Sequence, residues 1–527
     1  MNKYRISILL FSALAALPVF SQDIYKVEML ANKDLTGTAR FVGMGGAMNA
    51  LGADISTVAY NPAGAAMFRS SGISITGGFN TQPNANEFYD IGKARATFDQ
   101  AGFTYSAKLG SDLKFLNIGF NYQKSKNFKN HIDVGGFSTG SLSQSLQMLD
   151  LCYVGNGWLD LDIESDADLT TNLAYAGYKT QMLEPVRDAE GNILGYNPCE
   201  ADHYNYKRVQ WGGIQDYDFF VAGNWNDRIY AGLSISVKNV NFHSFTDYAE
   251  MLTDNSGGLH EYYTNYEERI TGSGVDAKLG LIVRPVSTSP FRLGFAVHTP
   301  TLYNLNTDSY LYMNAPFVDE NGNNFTEYSI PVSAYQYNIS TPWKINLSMA
   351  TTIGTSFAID AEYEFSKIGN SRISYSDGYY DDYHHPSHST KDFALNNECK
   401  AYLNPTHTFR VGAELRFAKQ LYLRAGYNHV TAPMKEDAFL NLFTDSDSYY
   451  YSSNTDYVNL GATNRYTCGL GYKGKRFYAD FAYQYRSQSG DLYAFHLPDA
   501  NGVSNRLSAA KVDLNNHSGM FTLGVKF

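Results

Sequence analysis

The chain has 527 residues, with 41 lysines and arginines against 52 aspartates and glutamates, which gives a formal net charge of −11. An acidic chain without a long basic run disfavours nucleic acid as a partner, and 15% aromatic against 18% charged residues is not the composition of a disordered protein. A bundle of membrane helices is excluded because only residues 6–22 approach the roughly 20 apolar residues that one such helix needs.

Residues 1–21 have the pattern of a secretory signal peptide. Two basic residues precede an apolar run from Ile6 to Phe20, and Ser21 lies just before a predicted cut ahead of Gln22. A single membrane anchor is the alternative, and it is disfavoured because the run is short and has a proline near its end. The mature chain is therefore predicted to be exported.

The segment that follows, residues 22–70, lacks the alternation of the rest of the chain and is rich in glycine, alanine and asparagine. We call it the hatch. Barrels of about eight strands fill their interior with side chains, whereas barrels of about sixteen leave a water channel. The rest of the chain is predicted below to form a barrel of fourteen strands. A barrel of this intermediate width needs a filler, and the hatch is predicted to plug it.

Residues 71–527 alternate between apolar and polar side chains, as strands with one apolar face do. In one example, the odd-numbered residues from Phe357 to Phe365 are apolar, and acidic residues fall between them. Six very short connections alternate with long polar stretches, which is the layout of a barrel in an outer membrane. Six short turns join twelve strands, and one further strand at each end predicts an all-β fold, a 14-stranded antiparallel transmembrane β-barrel. The long stretches, predicted to be external loops, are 81–96, 125–213, 243–270, 304–339, 374–403, 432–462 and 495–515.

Charged residues at the polar positions of these strands are predicted to face the lumen as a polar network. They are Asp360, Glu362, Glu364, Arg410, Glu414, Arg416, Arg424 and Asp480. A polar barrel interior needs such charges, paired with one another or with the hatch backbone. No catalytic residue is assigned, and the chain is predicted not to be an enzyme.

The last strand alternates Phe521, Leu523 and Val525 with polar residues and stops on Phe527. This ending resembles the sorting signal that outer-membrane assembly machinery reads. The predicted location is therefore the outer membrane of a Gram-negative bacterium, with the assembly machinery as a partner during biogenesis and membrane lipid around the apolar face.

Three motifs in the hatch carry a family resemblance. The segments Gly43–Ala47, Ala53–Thr57 and Asn61–Gly64 follow the patterns G-x-G-G-A, A-D-x-S-T and N-P-A-G. In this order they resemble the hatch of the FadL/TodX family of outer-membrane transporters of hydrophobic compounds. The resemblance implies a 14-stranded barrel with an N-terminal plug and passive uptake of long-chain fatty acids or other hydrophobic small molecules, without a cofactor. The hatch and gating residues that it implies are Gly43, Gly45, Gly46, Asp54, Asn61, Pro62, Ala63 and Gly64.

Asn61 and Pro62 have two interpretations. A proline restricts its own backbone and that of the preceding residue, and Gly64 adds freedom, so the pair fits a movable element that releases a ligand. A tight turn that merely leads into the first strand explains the same residues.

Other readings remain open. One is a barrel that docks secreted proteins, as PorV-type secretion components do, and the long loop 125–213 suits it as well as it suits a transporter. Another is a heme-binding variant. Cys152 and Cys199 both fall in that loop, where an exported protein can form a disulfide. The aspartates and histidines between Asp377 and His388 contain possible metal ligands, but a solvated loop is preferred and no metal site is predicted.

Overall fold

In a computed structural model, the structure describes residues 23–110, 112–154, 157–167, 169–253, 258–317, 326–376, 389–442, 454–496 and 507–527, with the backbone alone at 331–333. The predicted signal peptide and the cluster from Asp377 to His388 lie outside the described residues. None of the described helices is long and apolar enough to cross a membrane.

Fourteen antiparallel strands form the wall of a closed barrel, as predicted. Each strand pairs with the next, and the last pairs with the first from Lys526 opposite Gly72 to His517 opposite Thr81. We number them in chain order and keep one number for a strand that a short bend interrupts. The strands are β1 (Gly72–Thr81), β2 (Ala94–Lys108), β3 (Leu113–Asn127 and Asn130–Ser138), β4 (Glu200–Trp225), β5 (Ile229–Thr253), β6 (Leu259–Val283), β7 (Arg292–His298 and Leu302–Ala315), β8 (Thr326–Ser340 and Lys344–Ile353), β9 (Phe357–Ser366 and Arg372–Ser376), β10 (Thr406–Arg416), β11 (Leu421–Val430), β12 (Thr463–Lys473), β13 (Phe477–Ser487) and β14 (Asn516–Lys526).

The outer face of the wall carries an apolar band, which β5 illustrates. Its outward residues from Ile229 to Val237 are apolar and mostly exposed, whereas Ser234, Ser236 and Lys238 point inward and are buried. A membrane-spanning strand needs about 9–11 residues, so this band is long enough to cross a bilayer. From residue 239 outward this face is mostly polar, beginning with Asn239, Asn241 and His243.

Several predicted external loops are partly strand, and the prediction was wrong there. Strands β5 and β6 remain paired as far as Thr253 opposite Leu259, deep in the predicted loop 243–270. Strand β7 likewise continues to Ala315 within the predicted loop 304–339. These extensions are polar outside, where they meet water, and buried inside, where they pack against other external segments. A polar outer face is compatible with a strand that has left the lipid.

The hatch lies inside the barrel. Its elements are α1 (Ile24–Ala31), α2 (Ala39–Gly43) and two 3₁₀ helices, Ile55–Ala59 and Pro62–Met67. Helix α1 packs against side chains of β4 to β8 that lie above the apolar band, so it occupies the outer end of the lumen. The second 3₁₀ helix contacts β4, β5 and β6 and leads down to the periplasmic start of β1. The hatch therefore extends inside the barrel from the outer end of the lumen to the start of β1.

A cap made of external segments closes over the outer end of the barrel. Most of it comes from residues 139–199, between β3 and β4. Met148, Leu173, Met182 and Leu183 form its apolar core together with the outer ends of the wall strands. Its elements, with the smaller external ones, are α3 (Gln144–Asp150), α4 (Glu164–Ala167), α5 (Asn172–Lys179), α6 (Phe393–Tyr402), a 3₁₀ turn (Ile368–Asn370), and short strands Tyr153–Val154, Gly157–Trp158, Leu183–Arg187, Ile193–Pro198, Ser389–Lys391, Tyr457–Leu460, Ser489–Tyr493 and Ala510–Asp513.

The two cysteines of the cap are not bridged in this structure. Cys152 Sγ donates to the carbonyl of Met148, and Cys199 Sγ donates to the carbonyl of Met182. The apolar core holds the cap together without the disulfide that the sequence left open.

Candidate functional site

Two lumen-facing carboxylates of β9 hold the hatch backbone. Glu362 Oε1 accepts hydrogen bonds from the N–H groups of Met48 and Asn49, both at 2.7 Å. Asp360 Oδ2 accepts from Ala50 and Leu51 at 3.1 and 2.8 Å. A buried carboxylate is tolerated only when it has such partners. The wall carboxylates and the hatch backbone therefore fix each other's positions.

Arginines complete this network. Arg410 lies 3.3 Å from Glu362 and 3.0 Å from Glu364, and Arg40 of the hatch lies 2.9 Å from Glu414. Arg424 joins Glu414 to Asp480 at 2.7 and 2.6 Å. The structure thus brings six of the eight predicted lumen residues into ion pairs, and Asp360 accepts hydrogen bonds from the hatch backbone instead. Arg416, at the periplasmic end of β10, has no ion pair within 4.0 Å among the described residues.

A second buried charge cluster, on β4 to β6, was not predicted. Lys33 of the hatch lies 3.0 Å from Asp216, which also pairs with Lys238 at 2.6 Å. Lys278 lies 3.0 Å from Asp218 and 3.1 Å from Asp276. The signal was present in the sequence, since these residues occupy the same alternate positions that identified the network on β9 and β10.

The hatch motifs bind one another. Asn61 caps the second 3₁₀ helix by accepting from Ala63 N, and its Nδ2 donates to the carbonyl of Asn49 at 3.1 Å. Thr38 Oγ1 donates to Asp54 Oδ1 at 2.8 Å, and Asp54 caps the first 3₁₀ helix. These turns form one hydrogen-bonded unit rather than separate loops.

Paired glycines in the wall let the hatch approach the strands closely. Gly232 and Gly280 are cross-strand partners beside Asn61 and Pro62, and a Cβ on Gly280 would lie 2.0 Å from Asn61 Oδ1. Gly412 and Gly426 form the same arrangement on β10 and β11. A Cβ on Gly426 would lie 2.2 Å from the backbone nitrogen of Gly45, whose φ of +65° is one that glycine adopts readily. Sequence reasoning missed these pairs, although glycine at inward strand positions is a signal of close backbone approach.

A cavity of about 170 Å³ lies at the outer end of the lumen, between α1 and the cap. Charged side chains occupy one part of its wall. The rest is apolar or aromatic and includes Met29, Phe128, Phe242, Tyr266, Tyr457 and Leu514. A cavity with mixed walls suits an amphipathic molecule better than a bare hydrocarbon or an ion.

Lys129 lines this cavity and is the notable charge in it. Its side chain is buried, and Nζ has no hydrogen-bond partner among the described residues. Two other cations of the cavity are paired with carboxylates, Lys26 with Glu268 and Arg208 with Asp456. A buried ammonium without a partner is costly, so an anionic group that enters the cavity is expected to bind here.

The wall has a seam beside the same lysine. Pairing between β2 and β3 ends at Gln100 opposite Gln123, and beyond this point β2 pairs with β1 alone within the described part of the chain. A small cavity of about 40 Å³, also lined by Lys129, lies at the seam. On the outer face of the wall the rings of Phe98 and Tyr122 meet across it, with centroids 5.3 Å apart.

The cap is fastened to β5 by one buried carboxylate. Glu250 accepts hydrogen bonds from Ser143 Oγ at 2.8 Å, from the N–H of Gln144 at the start of α3 at 2.7 Å, and from the Tyr248 hydroxyl. Burial outweighs these donors and raises the pKa of Glu250 to about 7.

This contact predicts a pH dependence of the cap. A carboxyl with a raised pKa in the folded state stabilises the fold fully below its unfolded pKa, near 4.5, and loses that stabilisation as the pH rises through about 7. We expect the local stability of α3, measured by amide hydrogen exchange, to fall by at most about 3 kcal/mol between pH 5 and pH 8. Glu250→Gln should flatten the profile, and an unchanged slope in that variant would assign the titration to another group.

The chain was compared with family models, with curated proteins and with solved structures. No family model and no curated protein matches the chain. Among solved structures, the toluene transporter TbuX of Ralstonia pickettii is 12% identical, with a TM-score of 0.45 over 94% of this chain and 99% of that one. A FadL homologue of Pseudomonas aeruginosa is 12% identical with a TM-score of 0.48 at the same coverage, and TodX of Pseudomonas putida is 10% identical with a TM-score of 0.43 over 96% and 99%.

The chain folds as a plugged β-barrel. Strand pairing closes the wall, and the hatch lies within it. The plugged barrel therefore has an outer cavity under the cap, a hatch held by wall carboxylates, and a seam next to an unpartnered lysine.

Proposed function

We propose that the protein is an outer-membrane channel for the passive uptake of hydrophobic molecules with an anionic head, such as long-chain fatty acids. The observation that carries the proposal is the outer cavity, where apolar and aromatic walls surround the unpartnered ammonium of Lys129. The carboxylate would bind the lysine and the apolar chain would lie along the walls.

Capture of such a molecule needs no energy source. An apolar chain gains roughly 0.8 kcal/mol for each methylene that leaves water, and an ion pair in a dry site adds to this gain. A ligand can therefore collect in the cavity from dilute solution and move on by diffusion once a path opens.

Two elements could provide that path. The hatch would have to shift away from the wall glycines and from the β9 carboxylates, with the Asn61–Gly64 turn as one place of movement. The seam between β2 and β3 would instead release the ligand sideways into the membrane, because no strand hydrogen bonds have to break there. Lys129 lines both the outer cavity and the small cavity at the seam.

The binding test uses Lys129→Ala. We expect the purified variant to bind a fluorescent long-chain carboxylate about tenfold or more weakly, since a hydrogen bond to a charged group contributes 1.5–3 kcal/mol. Binding of the matching alcohol should change little. Lys419→Ala, in the turn between β10 and β11, is the control. Equal loss for the acid and the alcohol would argue that the lysine only shapes the cavity, and unchanged binding of the acid would remove it from the site.

Docking of a secreted protein is the second candidate, and the surface of the cap favours it. Tyr153, Ile163 and Leu194 are apolar or aromatic cap side chains that are about half exposed. Mass spectrometry of lipid extracts from the purified protein separates the two functions. A hydrophobic acid retained in the protein supports transport, whereas a stoichiometric protein partner and no such ligand supports docking.

A further inference from the structure

A second cavity lies on the periplasmic side of the hatch. It has a volume of about 300 Å³ and lies between the hatch and the inner ends of β1, β2 and β10 to β14. Ile55, Met67 and Phe68 of the hatch give it an apolar side. We call it the vestibule.

Most charges in the vestibule are already satisfied. Glu414 accepts from Arg40 and from Arg424, and Arg424 also pairs with Asp480, so these four groups form a neutral network. Asp54 accepts hydrogen bonds within the hatch from Thr38 and Ser56.

Lys473 and Lys526 also line the vestibule but do not belong to this neutral network. They lie near the ends of β12 and β14, on either side of Tyr478 of β13, which is the cross-strand partner of Lys473. Within the described residues neither has a carboxylate within 4.0 Å, and Lys526 Nζ lies 5.3 Å from the ring of Tyr478. Two neighbouring ammonium groups repel each other, and an anion placed between them removes that repulsion.

We propose that the vestibule is a second ligand site, in which Lys473 and Lys526 hold the carboxylate of an amphipathic molecule and the apolar side of the hatch holds its chain. The vestibule would be the place where the transported molecule arrives after it passes the hatch, so this proposal rests on the proposed function. The hatch then separates two sites of the same chemistry, one under Lys129 and one over this lysine pair, so net movement follows the concentration difference between the two sides.

The test is photolabelling of the full-length protein in lipid nanodiscs with a long-chain carboxylate that carries a diazirine on its chain. Labelled residues are mapped by mass spectrometry, and the matching long-chain alcohol serves as the uncharged control. We expect two groups of labelled peptides, one around the outer cavity and one including Met67 and Phe68. In Lys473→Ala/Lys526→Ala the vestibule labels should fall about tenfold and the outer labels should persist.

Arginine at both positions should restore vestibule labelling, because it keeps the charge. Heat-modifiable migration on gels verifies that each variant has assembled. The proposal is overturned if the vestibule is not labelled in the wild type, if the double alanine variant labels equally, or if the alcohol labels as strongly as the acid. Lysine-dependent labelling of the vestibule without labelling of the outer cavity would uphold the site and reject the proposed function instead.

Discussion

Deleting residues 24–60 should turn the barrel into an open, ion-conducting pore. Those residues fill the lumen from α1 at the outer end to the turn that packs against the wall glycines. A barrel of fourteen strands is too wide to be sealed by wall side chains alone. We expect the single-channel conductance in planar bilayers to rise about tenfold or more over that of the intact protein.

The wall itself should survive this deletion, since its closure depends on strand pairing from β1 to β14. Heat-modifiable migration on gels checks that point before conductance is measured. A correctly assembled deletion variant that stays as tight as the wild type would show that the cap, and not the hatch, seals the lumen.

Gly426→Ala should dislodge the middle of the hatch. The added Cβ would lie 2.2 Å from Gly45 N and 2.3 Å from Met44 C, and both are backbone atoms that cannot rotate away. Overpacking of this kind typically costs about 1–3 kcal/mol. We expect a lower thermal stability and a conductance between those of the wild type and the deletion variant.

Gly110→Ala is the matched control, because a Cβ there meets no atom of the described residues within 4 Å. If Gly426→Ala behaves like this control in both measurements, then the close approach of hatch and wall has no structural importance.

The architecture of the wall was predictable from the sequence because strand periodicity is a local property. Alternation places Asp360, Glu362 and Arg410 on the lumen side whatever their partners are, and the short turns give the strand number. The same rule applies to Asp216 and Lys278, which were not predicted, but only the fold shows that β4 to β6 bring them together around Lys33.

Contacts between distant segments were not predictable in this way. The hydrogen bonds from Met48 and Leu51 to β9 join residues about three hundred positions apart. Neither segment contains a local sequence pattern that identifies the other as its partner. The extensions of β5 and β6 were assigned to loops because their outer faces lack the apolar residues by which the wall strands were recognised. A strand outside the lipid does not need an apolar outer face. The seam was not predictable either, because it depends on strand register. It begins where the pairing of β2 with β3 stops, at Gln100 opposite Gln123.

The gating role assigned to Asn61 and Pro62 stays a prediction. The structure limits the kinds of movement that are possible at this turn. Asn61 is fully buried and hydrogen-bonded to Asn49, and it packs against Gly280. A movement at this turn would therefore have to carry the neighbouring part of the hatch with it. The gating prediction concerns a unit of the hatch rather than a single hinge.

The central claim is passive uptake of an anionic amphiphile, and uptake by cells tests it most directly. The protein is expressed in a Gram-negative strain that lacks its own transporter of this kind, and entry of a radiolabelled long-chain carboxylate is followed over time. The account predicts that the wild type restores entry and that Lys129→Ala at equal surface abundance restores much less. Entry no faster than in the empty strain, with the barrel correctly assembled in the outer membrane, would contradict it.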